Sequence, residues 1–119
     1  SLEVASKTGE VPHAHIILNV YGQEVASDDQ GSGPVDAAFK AIEKVAKSGA
    51  TLQLYSVNAI TQGTDSQGEV TVRLERGGRI VNGNGADTDI VIASAKAYLN
   101  ALNLMHLGAD KAHPQVDGV

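Results

Sequence analysis

The chain is predicted to fold as an α+β protein of two pseudo-symmetric βββα units. Three observations predict it. Strand-like stretches rich in branched apolar residues lead into an alanine-rich amphipathic helix, and this order occurs twice in 119 residues. A glycine-bearing segment, Gly31-Ser32-Gly33-Pro34-Val35-Asp36-Ala37-Ala38, recurs in altered form as Gly83-Asn84-Gly85-Ala86-Asp87-Thr88-Asp89-Ile90, 52 positions later. The helical patterns also leave more apolar surface than one small domain covers, which predicts a homodimer.

The first unit is expected over about residues 2–49. Its first strand falls around Leu2–Ser6, matching Leu54–Asn58 at the same 52-residue offset. Ala14–Tyr21 is rich in branched apolar residues and reads as a second strand. Gly22-Gln23 turns the chain, Glu24–Ser27 returns, and the run Asp28–Gly33 breaks the return strand. Pro34 suits the first helical position, where its missing N–H costs nothing. Val35, Ala38, Phe39, Ile42, Val45 and Ala46 then form one apolar stripe at helical spacing, with Lys40, Glu43, Lys44 and Lys47 opposite. Ser48-Gly49 ends the helix, with glycine expected to supply the left-handed cap.

The second unit is expected over about residues 50–107. Leu52–Ile60 reads as a strand and Gln62–Gly68 as a polar turn. Val70, Val72 and Leu74 alternate with Thr71, Arg73 and Glu75, the period of a half-buried strand. Arg76-Gly77-Gly78-Arg79 makes a hairpin into Ile80-Val81, and Asp87 or Thr88 is expected to cap the second helix. That helix carries Ile90, Ala93, Ala97, Ala101 and Leu104 beside Val91, Ala95, Tyr98, Leu102 and Met105, a wider apolar face than the first. Residues 108–119 have no periodicity and read as a flexible tail.

Composition excludes several classes. A net charge of −5 argues against nucleic acid and against an anionic membrane surface. The absence of cysteine removes disulfides and thiolate chemistry and fits a cytoplasmic protein. No apolar run approaches the ~20 residues of a membrane span, and no signal peptide is visible. Four aromatic residues, Tyr21, Phe39, Tyr55 and Tyr98, leave a core of aliphatic residues and alanine. Ser1-Leu2 reads as a cut end, so a larger parent chain is expected.

The chemistry-bearing residues point to binding. Two helix N-termini after glycine segments offer unpaired N–H groups and the positive end of a dipole, which suit a small carboxylate. The alternative reading is a tight turn that needs positive φ. Neither segment has the third glycine of a dinucleotide fingerprint or the Gly-Lys-Ser/Thr of a phosphate loop. His13 and His15 share a strand face but have no acidic residue at ligand spacing, so they read as surface histidines, as do His106 and His113. Asp28-Asp29, Asp87 and Asp89 read as caps and dipole partners rather than acid–base pairs. Ser56, Ser66 and Ser94 have no histidine nearby in sequence and support no nucleophile. Tyr55 shares a face with Val57 and Ala59, a pocket wall with one polar handle or a core or interface tyrosine.

Three stretches resemble a known family: Gly31–Ala38, Ala59–Val70 and Asp87–Asn103. Over about residues 2–104 the chain is similar to the C-terminal regulatory (LeuA dimerisation) domain of bacterial 2-isopropylmalate synthases. The resemblance implies two βββα units in a homodimer, with the feedback inhibitor leucine bound near the subunit interface. It implies leucine contacts from Gly31, Gly33, Pro34, Val35 and Asp36 in the first glycine segment. It implies others from Leu52, Tyr55 and Ala59 in the strand, and from Ser66 and Gly68 in the following turn. Helix-start N–H groups would take the carboxylate, turn carbonyls the ammonium and an aliphatic wall the side chain. Asp36 fits an apolar wall poorly. The resemblance implies no catalytic residue, metal or cofactor here, since acetyl-CoA chemistry belongs to the catalytic barrel of the parent chain. The rivals are the isoleucine-sensing domain of citramalate synthase, a dimerisation module without ligand, and a small stand-alone enzyme.

Overall fold

A computed structural model describes residues 2–5, 11–20, 22–62 and 65–110; the side chains of 2–5, 20, 59–62, 65–66 and 107–110 lie outside that description. The chain divides into two compact units, Ser1–Gly49 and Ala50–Val119. Each holds a three-stranded antiparallel sheet with its strands in chain order, followed by one helix. The fold is therefore α+β, with two βββα units.

In the first unit β1 (Leu2–Ala5), β2 (His13–Val20) and β3 (Gln23–Gln30) precede α1 (Pro34–Ala46). Gly22 turns the β2–β3 hairpin at a φ of 83°, and the Asn19 side chain accepts its N–H. The return strand runs to Gln30, past the break expected at Asp28, because Asp28 and Asp29 pair with His15 and Ala14. Ala37, Ala38, Phe39, Ala41 and Ile42 bury one face of α1, while Ala14 and Ile16 are buried on β2. Ser27, buried on β3, donates its hydroxyl to the Ala41 carbonyl at 2.7 Å. Ala46, expected on the stripe, is exposed. The left-handed cap falls on Lys47, at a φ of 49°, rather than on Gly49. The Glu43 carboxylate accepts the N–H groups of Ser48 and Gly49 and so holds that turn.

In the second unit β4 (Thr51–Gln62), β5 (Asp65–Arg76) and β6 (Arg79–Asp87) precede α2 (Ile90–Asp110). Gly77 and Gly78, at φ 60° and 84°, form the expected two-residue hairpin turn. The polar turn expected over 62–68 is shorter, since Gln62 already pairs with Asp65. Ser66 and Gly68 are therefore strand residues and not turn residues. The helix continues to Asp110, three residues into the expected tail; 111–119 lie outside the described residues.

The second glycine segment is strand, not turn. Gly83 pairs with Val72 and Gly85 with Val70 on β5. A β-carbon on Gly83 would strike the backbone of Ala97 and Ala101, and one on Gly85 the backbone of Ala93 and Ala97. These glycines let α2 approach β6 backbone to backbone, so no positive φ is needed. Helix α2 packs over β6 and β5, where Val70, Val72, Leu74, Val81, Ala93, Ala97, Tyr98, Ala101 and Met105 are buried.

The internal repeat is consequently offset by 56 positions, not 52. Pro34 opens α1 and Ile90 opens α2, 56 positions apart, and the hairpin glycines Gly22 and Gly78 keep the same spacing. The buried pairs Ala14/Val70, Ile16/Val72, Ala37/Ala93, Ala41/Ala97 and Ile42/Tyr98 also obey it. Gly31 and Gly33 thus correspond to Asp87 and Asp89, not to Gly83 and Gly85.

Gly83→Ala and Gly85→Ala are expected to lose about 1–3 kcal/mol each, the usual scale of overpacking. Urea unfolding checks this; losses below about 0.5 kcal/mol would show that the helix can retreat from the strand at little cost.

Candidate functional site

The first glycine segment builds an open helix start. Gly33 is the N-cap of α1, with φ −159°, and makes no side-chain cap. That φ is extended backbone open to any residue, so the left-handed turn expected here does not occur. A β-carbon on Gly33 would meet nothing within 4 Å. Pro34 has no N–H, and the Ala37 N–H reaches the Gly33 carbonyl at 2.9 Å. The first-turn N–H groups of Val35 and Asp36 meet no acceptor among the described residues.

Asp36 holds this segment in place. Its Oδ2 accepts the Ser32 N–H at 2.9 Å and the Ser32 hydroxyl at 3.3 Å, and Lys40 Nζ lies 3.3 Å away. Gly31 donates to the Pro12 carbonyl at 3.0 Å. A β-carbon on Gly31 would lie 2.5 Å from the Ala37 nitrogen and 2.6 Å from Asp36 Oδ2, so only glycine fits. The arrangement is the side-chain half of a capping box, shifted by one residue, with the N-cap half missing. The Ser32 N–H, opposed by partial desolvation and assisted by Lys40, holds the Asp36 carboxyl below the usual carboxylate range.

The corresponding start of α2 is closed by its own side chains. Asp89 accepts the N–H groups of Val91 at 2.8 Å and Ile92 at 3.3 Å. The cap is therefore Asp89, not Asp87 or Thr88. Asp87 supports it from behind, accepting the Asp89 N–H at 3.0 Å and meeting Lys96 Nζ at 2.9 Å. The Asp89 N–H and then Lys96 hold the Asp87 carboxyl low.

Leu52, Tyr55 and Gly68 stand in the second unit. Tyr55 faces Val72 across the β4–β5 ladder, and Val57 faces Val70. A register shift between Leu52 and Leu54 places Leu52 opposite Leu74. One extra residue thus brings Leu52 onto the face of Tyr55 and Val57, which strict alternation would deny it. This is the helix-side face, yet α2 packs mainly over β6 and β5 and reaches β4 at the Tyr55 hydroxyl. Leu52, Tyr55 and Val57 are 43%, 37% and 45% exposed. Ala59 pairs with Gly68 and Thr61 with Ser66; the side chains of Ala59 and Ser66 lie outside the described residues. Gly68 is buried because Ile90, first in α2, occupies the space of its missing β-carbon.

The remaining candidates separate from this geometry. His15 Nδ1 lies 2.7 Å from Asp28 Oδ1 across the strands, an acidic neighbour that linear spacing did not reveal. Among the described residues, no group of three or more histidine, aspartate or glutamate side chains is placed to hold a metal. Ser94 is fully buried and bonds Tyr55, a role with no signal in the sequence beyond a polar residue inside an alanine face. None of the helices in the described residues is long and apolar enough to cross a membrane.

Comparison with known sequences matches residues 1–106 to the family described as the LeuA allosteric (dimerisation) domain. The 2-isopropylmalate synthase of Nitrosospira multiformis is 67% identical over 116 residues, which cover 98% of this chain and 23% of that protein. That of Chromobacterium violaceum is 72% identical over 103 residues, 87% of this chain and 20% of the relative. That of Neisseria meningitidis is 57% identical over 118 residues, 99% of this chain and 23% of the relative. The chain therefore spans less than a quarter of the length of these curated relatives.

The Asp36 contacts carry a pH signature. A carboxyl with a lowered folded-state pKa contributes stability that is present above its unfolded value, near 3.9, and lost as pH falls through the folded value. Wild type is expected to melt above Asp36→Asn from pH 8 to about 5, with the gap closing below about pH 4. Melting curves across that range check it; a gap that persists at pH 2.5 would mean that the charge of Asp36 adds nothing.

Proposed function

The chain belongs to the LeuA allosteric (dimerisation) domain family, and from that premise we propose that it is the leucine-sensing feedback domain of a 2-isopropylmalate synthase, acting as a homodimer. On this reading the condensation of acetyl-CoA with a 2-oxo acid takes place in the barrel of the parent chain. The domain supplies the effector site and part of the subunit contact.

The observation that carries the proposal is the difference between the two helix starts. In both, the N–H groups of the second and third helical residues need an acceptor. In α2 the Asp89 carboxylate takes both. In α1 the corresponding residue is Gly33, with no side chain and free space where one would stand. A helix start that is uncapped, rigidly held by Asp36 and preceded by an obligate glycine suits a carboxylate supplied by a ligand. Leucine is zwitterionic at neutral pH, so its carboxylate would replace what Asp89 does in α2. Its isobutyl group needs an apolar wall, worth about 2 kcal/mol when fully buried. The resemblance assigns Leu52, Tyr55 and Ala59 to that wall. The exposed row Leu52–Tyr55–Val57 on the edge strand β4 is what a second subunit would cover.

Two measurements test this. Calorimetry is expected to show leucine binding to the wild-type chain and binding weakened at least about tenfold in Gly33→Asn, whose side chain can cap Val35 and Asp36 as Asp89 caps α2. The variant should fold as well as wild type, since Gly33 is extended and unobstructed. Tighter binding of isoleucine than leucine would transfer the domain to the citramalate class, and no heat with any branched-chain amino acid would leave a dimerisation module. Light scattering is expected to give the mass of a dimer at micromolar concentration; a monomer mass would defeat that part of the reading.

A further inference from the structure

We infer that Ser94 is a positioning residue for the effector site, acting through the Tyr55 hydroxyl. Ser94 lies in the first turns of α2 and is fully buried. Its hydroxyl donates to the Ile90 carbonyl at 2.7 Å, one turn back. The Tyr55 hydroxyl lies 2.7 Å from the same oxygen. A carbonyl only accepts, so the single proton of Ser94 is committed to Ile90 and Tyr55 is the donor to Ser94. The chain Tyr55 to Ser94 to Ile90 thus ties an edge-strand ring to the start of α2.

Packing alone does not require this pair. Ser94 sits among Ala93, Ala95, Ala97 and Ala101, where alanine would fit. The corresponding residue of the first unit, 56 positions earlier, is Ala38, also fully buried. The residue corresponding to Tyr55 is fixed by register: Tyr55 pairs with Val72, and Leu2 pairs with Ile16, the counterpart of Val72. One fold therefore carries Leu2 and Ala38 in one copy and Tyr55 and Ser94 in the other. The polar pair is an addition to a scaffold that stands without it.

The addition falls where orientation matters. Tyr55 is 37% exposed on a strand at the margin of the helix, beside Leu52 and Val57. An aromatic ring at such an edge has two free dihedrals, and a hydrogen bond from its far end to a rigid, buried acceptor removes that freedom. Ser94 thereby presets the face of the ring that the effector meets. This inference rests on the leucine-binding reading above.

A double-mutant cycle on leucine affinity tests it. Ser94→Ala and Tyr55→Phe are each expected to weaken leucine binding by roughly three- to tenfold, the scale of one hydrogen bond. The double variant is expected to be no weaker than the weaker single variant, because both remove the same bond. Losses that multiply, or wild-type affinity in Ser94→Ala, would overturn the inference. A second measurement needs no ligand: NMR of labelled tyrosine rings, with Tyr55→Phe giving the assignment. Ser94→Ala is expected to shift the Tyr55 ring resonances and to speed ring flipping, with the Tyr98 ring unchanged; an unaltered Tyr55 ring would overturn it. Wild-type protein that binds no branched-chain amino acid would instead defeat the effector reading, and the ring measurement would still decide whether Ser94 holds Tyr55.

Discussion

Helix α2 lies so close to β6 at two positions that the strand can carry no β-carbon there. Gly83 and Gly85 on the strand face the backbone of Ala93, Ala97 and Ala101 on the helix. Gly68 on β5 gives way to Ile90 in the same manner. Much of the rest of the second unit follows from this contact. It dictates an alanine-rich helix, since larger residues at these positions would push the layers apart. It also centres the helix over β6 and β5, so that the third strand keeps its apolar row uncovered. A small-residue helix seam thus leaves the β4 row partly exposed on the helix side of the sheet.

The two units share the βββα plan, and three of the positions at which they differ carry chemistry. Where the first unit has Gly33, the second has Asp89, so one helix start is open and the other self-capped. Where the first has Gly31 against the Asp36 carboxylate, the second has Asp87, bonded to Lys96. Where the first has Ala38, the second has Ser94, which holds Tyr55. The shared positions are mostly buried and apolar and account for folding. The first two of these departures lie at helix starts, and the third, buried in α2, reaches the partly exposed Tyr55.

Element identity was legible because it rests on local patterns. The alternation of Val70, Val72 and Leu74 with polar residues, Gly77-Gly78 at the hairpin and Pro34 at a helix start each have a short-range cause. The spacing of the repeat was not legible. Gly31-Ser32-Gly33 and Gly83-Asn84-Gly85 look alike as letters, but one precedes a helix and the other is a strand beneath a helix. A glycine needed for a turn and a glycine needed for close approach leave the same mark in a sequence. The register shift before Leu54 was equally hidden, because an extra residue in a strand is decided by pairing with β5.

The sequence by itself determined the α+β class, the two βββα units, the acidic and cysteine-free composition and the family, since each depends on residue type and order along the chain. Tertiary structure alone decided which glycines serve packing and which leave a helix start open. It also decided that Leu52 and Tyr55 share a face, that Asp89 closes α2, and that Ser94 reaches Tyr55. The physical reason is common to all of these. They depend on which backbone lies within van der Waals or hydrogen-bond distance of which other, and that distance is set only when helix and sheet pack.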